Sequence, residues 1–249
     1  MTKDTSWDSA ADWYGDHLAS GRTYQSRLIW PGALRLMGDL KDKLVADVAC
    51  GEGSFASMLK KSGAGKVYGF DSSKELIKRA SRSYRGIKFE VAPAEDLPLD
   101  SSSVDAVSLI LAIQNMEFPA KVLKEISGIL KKSGRLVLIL NHPAFRVPGG
   151  TSWGFDDKEG VQYRRVNSYM TESKTVMKVN PGKSDTAQTI NFHRPLQNWF
   201  KMLKNAGFLV ETMEEWCSDK ESGVGPRKIA EDRARKEFPL FMAIVAVKK

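Results

Sequence analysis

Between residues 43 and 140, short apolar runs alternate with segments whose apolar residues recur at helical spacing. The runs lie at 44–49, 66–70, 87–91, 104–113 and 135–140. We interpret them as buried strands, because a strand that is covered on both faces is apolar almost continuously. The helical segments supply the crossover connections that parallel strands require. The alternation therefore predicts an α/β fold, in which a parallel sheet carries helices on both faces.

The C-terminal part of the chain extends this sheet. Residues 196–206 have a helical pattern that Gly207 ends, and residues 208–213 and 239–247 have the composition of strands. Nothing between the two strands has the clear pattern of a crossover helix packed on the sheet, so we expect an antiparallel pair at the sheet edge. The full prediction is a sheet of seven strands, of which the last two are antiparallel.

Two segments lie outside this pattern. Residues 143–194 are rich in Gly, Pro, Ser, Thr and aromatic residues, and strand-like pieces at 173–179 and 186–192 predict an inserted hairpin or lid. Residues 1–40 carry many aromatic residues, which predicts a cap over the carboxyl edge of the sheet. The alternative for this segment is a helix that covers an ordinary surface of the core.

Length and charge limit the organisation of the chain and its partners. With 249 residues, the chain is short for two independent domains, so we predict one domain over residues 1–249: the cap at 1–40, a core at 43–142, the lid at 143–194 and a C-terminal part at 195–249. The net charge of +8 favours nucleic acid or anionic surfaces in general, but the basic residues are scattered or interleaved with acids. A solvated surface is therefore the better interpretation, and a nucleic-acid partner is not expected.

The sequence also indicates a cytoplasmic protein. No apolar run approaches the roughly 20 residues that span a bilayer, and the N-terminus lacks the basic and apolar segments of a secretion signal. Cys50 and Cys217 lie far apart, which suits reduced thiols. We expect a monomer or a homodimer without a membrane span.

Acids and glycines follow the first two predicted strands. The first is followed by Asp47-x-Ala49-x-Gly51-x-Gly53, in which the glycines permit close approach of the backbone to a ligand. The second ends at Asp71, whose carboxylate suits a bidentate contact with the hydroxyls of a ribose. Because ligands of open α/β sheets bind outside the carboxyl ends of the strands, this pattern predicts a nucleotide-type cofactor. A dinucleotide and other nucleotide-type cofactors both remain open at this point.

Several motifs in order narrow this choice. They lie at residues 45–53, 68–73, 94–99, 103–107 and 123–134. Each is weak alone, but in this order and spacing they resemble the class I S-adenosylmethionine-dependent methyltransferases. The resemblance is to the broad branch of small-molecule enzymes with a type 11 methyltransferase domain, which includes the ubiquinone and menaquinone methyltransferases. It covers residues 43–140 well and the final helix and strand pair loosely.

The resemblance implies a Rossmann-like fold and S-adenosylmethionine as the cofactor, with S-adenosylhomocysteine as the product. The loop from Asp47 to Gly53 would surround the methionine part, Asp71 would hold the ribose, Ala94 and Glu95 would frame the adenine, and Gln114 would line the reactive end. Ala49 stands where the family more often has glycine. The cofactor contacts implied are Asp47, Ala49, Gly51, Gly53, Asp71, Ser72, Ala94, Glu95 and Gln114.

Transfer of a sulfonium methyl is a displacement, so an enzyme must mainly align the acceptor and exclude water. A general base is needed only where the acceptor loses a proton. His142, at the end of the fifth predicted strand, is the candidate catalytic residue; the alternative is that it only hydrogen-bonds a turn. No metal site is predicted. Candidate residues of the acceptor pocket are Trp13, Tyr14, Tyr24, Tyr163, Tyr169 and His193.

The sequence thus predicts an S-adenosylmethionine-dependent methyltransferase that acts on a small-molecule acceptor, at an oxygen, nitrogen or carbon atom that the motifs do not specify. The positive charge favours an RNA or protein methyltransferase as the alternative. A nicotinamide-dependent reductase and a non-catalytic cofactor-binding protein are alternatives of other classes. Calorimetric titration with a nicotinamide cofactor and with S-adenosylmethionine distinguishes the reductase from the methyltransferase.

Overall fold

A computed structural model describes residues 7–8, 21, 23–178 and 188–249 of the chain. Its strands are β1 (Leu44–Val48), β2 (Lys66–Asp71), β3 (Lys88–Val91), β4 (Val104–Ile110), β5 (Leu130–Asn141), β6 (Thr151–Asp156), β7 (Val161–Val166), β8 (Ser173–Lys178), β9 (Gln188–His193), β10 (Phe208–Trp216) and β11 (Phe241–Lys248). Its α-helices are α1 (Trp30–Met37), α2 (Ser54–Lys61), α3 (Lys74–Ser83), α4 (Pro119–Ile129), α5 (Leu196–Asn205) and α6 (Lys228–Glu237). A π-helical turn, Gln25–Ile29, leads into α1, and a 3₁₀ turn, Ile113–Asn115, follows β4.

The main sheet has seven strands in the order β10-β11-β5-β4-β1-β2-β3. The five strands from β3 to β5 are parallel, whereas β11 runs antiparallel to both of its neighbours, β5 and β10. The predicted α/β class, the seven strands and the antiparallel C-terminal pair are confirmed. Since the five parallel strands point the same way, their carboxyl ends meet at one edge, where the loops after β1, β2 and β4 lie together.

Strand β5 shows how the core is divided between the two faces. Leu136 and Leu138 pack with α4 and α5 on one face, and Val137 and Ile139 pack with α1 and α2 on the other. Successive side chains of a strand point to opposite faces, so a strand covered on both sides is apolar at every position. This is the physical reason for the continuous apolar runs in the sequence.

Part of the N-terminal segment follows the alternative interpretation. Ala33, Leu36 and Met37 of α1 are buried against the sheet face beside α2, as a helix covering the core would be. Gln25 and Trp30, at the start of the same helical segment, instead line a cleft at the carboxyl edge. Residues 1–6, 9–20 and 22 of the predicted cap lie outside the described residues.

The segment between β5 and α5 holds two hairpins. The pairing of β8 with β9, which places Ser173 opposite His193, matches the hairpin expected from the sequence, and the expected turn at residues 180–183 lies outside the described residues. The hairpin of β6 and β7 was not predicted, because its apolar residues, such as Trp153, Val161 and Tyr163, are exposed and give no buried alternation.

Two strand boundaries differ from the prediction. Strand β4 ends at Ile110 instead of residue 113, because Leu111 has a φ of 53° and its N–H turns to the carbonyl of Ile139. Strand β5 begins at Leu130 instead of residue 135, since Leu130 pairs with Val104 before the turn that follows. In the described part of the chain, we find no helix with the length and apolarity to cross a bilayer.

Candidate functional site

The loop after β1 is held in place by the acid at the end of β2. The N–H of Gly51 donates to Oδ2 of Asp71 over 2.9 Å, and the N–H of Ser73 donates to Oδ1 over 2.9 Å. Burial raises the pKa of the Asp71 carboxyl, and these backbone donors partly oppose the shift. Each carboxylate oxygen has a second lone pair, so both oxygens retain the capacity to accept a hydroxyl from a ligand.

Asp47 lies beneath this loop and is 2% exposed. Its Oδ1 accepts a hydrogen bond of 2.6 Å from the Ser108 hydroxyl, while its buried Oδ2 has no partner among the described residues. Burial raises the pKa of the Asp47 carboxyl to about 7, and the nearby Asp71 raises it further, while the Ser108 hydrogen bond and the backbone N–H of Ala56 act in the opposite direction. A buried carboxylate oxygen without a partner is costly, and a cationic ligand group would offset that cost.

The loop itself is tightly packed and strained. Gly53 has a φ of 83°, and a Cβ there would lie 2.6 Å from the ring of Phe89, so no larger residue fits. Ala49 and Leu111 have φ values of 55° and 53°, which cost energy for residues with a side chain. Such strain concentrates at functional sites, and here it lies on both sides of one cleft.

The loop, the end of β4 and the N-terminal helical segment enclose this cleft, which we call the glycine-loop cleft. Asp47, Ala49 and Gly51 were predicted to be cofactor contacts, and the structure brings them together here. Gln25, Trp30 and Leu111 were missed, because only the tertiary fold brings them to the loop. The cleft is lined by Gln25, Trp30, Asp47, Ala49, Cys50, Gly51, Glu52, Ser54, Phe55, Ile110 and Leu111.

The remaining predicted cofactor residues lie along the same edge of the sheet. Ser72 is exposed beside Asp71, Ala94 is buried against the core and Glu95 is half-buried. The loop that carries Ala94 and Glu95 is fastened to α4, since the N–H of Leu97 donates to Glu125 over 3.0 Å. None of these three residues lines the glycine-loop cleft, and their contacts with a cofactor remain predictions.

A second cavity lies between the end of β5 and strand β9, and we call it the acceptor cavity in anticipation of its proposed role. Gln114 belongs to it, and its Nε2 donates to the carbonyl of Leu111 over 2.7 Å. Because Leu111 lines the glycine-loop cleft, this bond places Gln114 where the two spaces adjoin. The acceptor cavity is lined by Gln114, Leu140, Asn141, Pro143, Arg146, Val147, Asn191, Phe192, His193, Arg194 and Trp199.

His193 is the predicted pocket residue that the structure places in the acceptor cavity. Its Nε2 lies 2.7 Å from the carbonyl oxygen of Tyr169, and since a carbonyl only accepts, Nε2 must carry the proton. The neutral ring then keeps its lone pair on Nδ1, which has no hydrogen-bond partner among the described residues. His193 can therefore accept a proton from a group that enters the cavity.

His142 is placed differently. Its Nδ1 accepts hydrogen bonds of 3.2 Å from the N–H groups of Ala144 and Phe145, and its Nε2 donates to Glu215 over 2.7 Å. Burial lowers the pKa of the His142 imidazole, and the Glu215 carboxylate partly offsets this. Both nitrogens are occupied and the residue lines neither space. This geometry favours the alternative stated for the sequence, in which His142 holds a turn.

The predicted pocket tyrosines take three different positions. Tyr24 shares a hydrogen bond of 2.8 Å with Ser218 and packs edge-on against Phe241. Tyr169 accepts a hydrogen bond of 2.8 Å from the N–H of Leu196, which fastens the segment before β8 to α5. Tyr163 is 46% exposed on the outer hairpin and does not line the acceptor cavity. Trp13 and Tyr14 lie outside the described residues.

The hairpin of β8 and β9 is attached to the sheet edge by Asn115. Its Nδ2 donates to Oγ1 of Thr189 over 3.1 Å and to the carbonyl of Ile190 over 2.9 Å. This contact fixes β9, which carries His193, over the carboxyl edge. No cluster of His, Cys, Asp and Glu residues with the geometry of a metal site occurs within residues 23–178 and 188–249.

Residues 46–138 match the methyltransferase domain family. A ubiquinone/menaquinone biosynthesis C-methyltransferase, UbiE, of Campylobacter jejuni is 31% identical over 105 residues, which are 40% of this chain and 45% of that protein. The match thus covers less than half of that relative. A protein of Haemophilus influenzae is 28% identical over 74% of both chains.

Among solved structures, an S-adenosylmethionine-dependent methyltransferase from Mesorhizobium loti superposes with a TM-score of 0.72, covering 88% of this chain and 97% of that one, at 24% identity. The sheet order and the glycine-loop cleft define the class I methyltransferase fold. Residues 46–138 thus match a methyltransferase domain, and the chain has the fold of the class I S-adenosylmethionine-dependent methyltransferases.

Proposed function

We propose that the protein transfers a methyl group from S-adenosylmethionine to a small molecule that occupies the acceptor cavity. The observation that carries the proposal is the unpartnered, buried Oδ2 of Asp47 in a cleft that adjoins a second, polar cavity through Gln114. The family match and the relatives named as methyltransferases support the chemistry.

The residues of the glycine-loop cleft fit this cofactor. When bound, S-adenosylmethionine supplies an activated methyl group on a sulfonium. Asp47 offers a carboxylate oxygen to the ammonium of the methionine part, and Asp71 keeps lone pairs for ribose hydroxyls. Ala94 and Glu95 would frame the adenine, as the motif order suggests. The raised pKa of Asp47 means that a bound cation would also draw a proton off this carboxyl.

The acceptor cavity favours a small acceptor over a macromolecule. It lies beneath the attached hairpin of β8 and β9, and its lining combines apolar groups such as Phe192 and Trp199 with amides and cations. This composition suits a small acceptor that carries both apolar and polar groups. Relatives named demethylmenaquinone methyltransferase, such as that of Chlorobaculum tepidum at 34% identity over 105 residues, suggest a quinone-related compound.

His193 is the residue that we propose for proton transfer. Its Nδ1 accepts the proton of the attacking hydroxyl or enol while Tyr169 holds the protonated Nε2. Gln114 borders both spaces and would orient the acceptor with its free Oε1. Alignment and exclusion of water are the remaining tasks of the cavity.

Two measurements test the function. Calorimetric titrations should show binding of S-adenosylmethionine and S-adenosylhomocysteine and no binding of a nicotinamide dinucleotide. Incubation with isotopically labelled methyl donor and fractionated cell extract should place the label in the small-molecule fraction. Label found in RNA or protein instead would contradict the proposed acceptor class. If neither S-adenosylmethionine nor S-adenosylhomocysteine binds, the proposed cofactor is wrong.

A further inference from the structure

Arg146 differs from the other arginines around the acceptor cavity. Arg194 donates to the carbonyls of Met116 and Glu117, and Arg164 donates to the carbonyl of Phe145 and the hydroxyl of Thr151. Arg146 lines the cavity, yet its guanidinium makes no hydrogen bond or ion pair within the described residues, and its Nη1 is buried. One cation of the cavity wall is thus left without a partner.

Two aromatic rings hold this guanidinium in place. Its Cζ lies 4.6 Å from the ring centre of Phe241 and 5.9 Å from that of Tyr24. Tyr24 is itself held in place by its hydrogen bond to Ser218. Ring contacts fix orientation and leave the in-plane N–H donors free for another group.

Burying a cation without a counter-ion costs free energy, and an anionic ligand that pairs with the cation would offset this cost. Burial lowers the pKa of the Arg146 guanidinium, but arginine stays protonated in proteins. No carboxylate of the described residues forms an ion pair with Arg146, and the charged group beside it is another cation, Arg164. Carboxylates and phosphates both match the fork of N–H donors in a bidentate manner, and the carboxylate is the smaller of the two.

A second unpartnered atom lies in the same wall. Oε1 of Gln114 is buried without a hydrogen bond, and it can only accept. The residues of the cavity wall thus hold N–H donors with positive charge at Arg146, an unpartnered acceptor at Gln114 and the lone pair of His193. A molecule with an anionic group at one position and a hydroxyl at another would satisfy all three.

We propose that Arg146 recognises the methyl acceptor by an anionic group, and that this group is a carboxylate. The inference rests on the proposed function, because it assumes that the second cavity holds the acceptor. It adds the substrate class: a small, single-ring carboxylic acid with a hydroxyl or enol. Within the quinone-related class suggested above, rings that carry a carboxylate should then bind and neutral rings should bind poorly.

The test compares benzoate with benzamide, two probes of equal shape that differ in charge. Calorimetric titrations are made on the full chain saturated with S-adenosylhomocysteine. We expect benzoate to bind at least tenfold more tightly than benzamide. Arg146→Gln should remove this preference, Arg146→Lys should keep part of it, and Arg165→Gln, an exposed arginine of β7, should leave it unchanged.

The outcomes separate the two proposals. Equal affinity of the wild-type protein for benzoate and benzamide, with S-adenosylhomocysteine still bound, overturns the role of Arg146 and leaves the methyltransferase function standing. The wild-type comparison needs no variant, so it decides even if Arg146→Gln fails to fold. Loss of S-adenosylhomocysteine binding itself counts against the proposed function.

Discussion

Ser108 of β4 lies directly opposite Asp47 of β1 in the parallel register, and its hydroxyl donates to only one of the two carboxylate oxygens. The other oxygen is buried without a partner among the described residues, and Asp47 lines the glycine-loop cleft. A single strand pair thereby orients the carboxyl and reserves one oxygen for a ligand. Burial raises the pKa of this carboxyl to about 7 despite the hydrogen bond from Ser108, so the charge of the site depends on pH near neutrality.

We predict that affinity for S-adenosylhomocysteine increases as pH is raised from 5.5 to 7.5. The carboxyl of Asp47, with a pKa of about 7, must lose its proton before it can pair with the ligand ammonium. Calorimetry in buffers of different ionisation enthalpy should therefore detect proton release on binding. Asp47→Asn should weaken binding and remove the pH dependence, while Asp100→Asn, an exposed carboxylate, should change neither.

The stability of the unliganded protein should change with pH in the opposite direction to the binding affinity. The folded carboxyl of Asp47 holds its proton up to about pH 7, whereas the unfolded one loses it near 3.8, so this group lowers stability as pH rises through that window. Ser108→Ala should move the dependence of binding to higher pH, because the hydrogen bond that lowers the pKa is lost. Affinity independent of pH in the wild-type protein would count against a titrating Asp47.

Packing around Phe89 gives a second prediction. A Cβ on Gly69 would lie 2.5 Å from the Phe89 ring and 3.0 Å from Sγ of Cys50. We expect Gly69→Ala to lower the free energy of unfolding by about 1–3 kcal/mol through overpacking. Adding Phe89→Leu should restore part of the loss, which a double-mutant cycle in urea would measure. Strictly additive effects would show that the ring is not the cause.

Ala49 gives a third prediction, since it is the departure from the family's usual glycine. With a φ of 55°, Ala49 lies in the left-handed region, and Ala49→Gly removes the clash of its Cβ. The strain relieved is about 1–2 kcal/mol, which exceeds the entropic cost of ordering a glycine on folding. We therefore expect the free energy of unfolding to increase by about 0.5–1 kcal/mol. Ala112→Gly, at a φ of −116°, should instead lower stability. Urea denaturation of both variants checks the difference in sign.

His142 gives a fourth prediction, which nitrogen NMR can read directly. The neutral tautomer with its proton on Nε2 should persist below pH 6.5, because burial lowers the pKa and Nδ1 already accepts two N–H groups. The unfolded chain takes up this proton first, so the group lowers stability as pH falls through 6.5. Glu215→Gln should lower the pKa of His142 further. Protonation of the folded ring above pH 6.5 would refute the assignment.

Asn115 gives a fifth prediction, about the attachment of the β8–β9 hairpin. Asn115→Ala removes both hydrogen bonds from Nδ2 to β9. Amides of β9 should exchange with solvent at least tenfold faster, while those of β1 keep their protection. Asn115→Asp, which keeps the shape but loses the donor, should behave in the same way. Unchanged exchange in both variants would show that the hairpin is held by other contacts.

The sheet could be predicted from the sequence because burial on both faces leaves a continuous apolar signature. The strand of Val104–Ile110 was predicted three residues too long, since the apolar letters continue while the backbone turns at Leu111. That turn is stabilised by a hydrogen bond to Ile139, far away in the sequence. Local patterns carry no information on such a contact.

The site could be predicted only in part for a similar reason. Asp47 and Gly51 lie where a strand ends, so the sequence order locates them, and the structure places both in one cleft. Arg146 was not selected, because nothing in its neighbourhood distinguishes it from the other scattered cations. Its significance lies in the absence of a partner among the described residues, which is a property of the folded chain.

The position of β11 between β5 and β10 has a consequence for the order of assembly. Strand β10 is made before β11, yet it has no place in the sheet until β11 has paired with β5. During synthesis, the first five strands can form a sheet whose β5 edge stays open, and β10 must wait as an unpaired segment. The growing chain thus exposes the β5 edge and the unpaired β10, both of which can pair with a neighbouring chain, and a chaperone would be most useful at that stage.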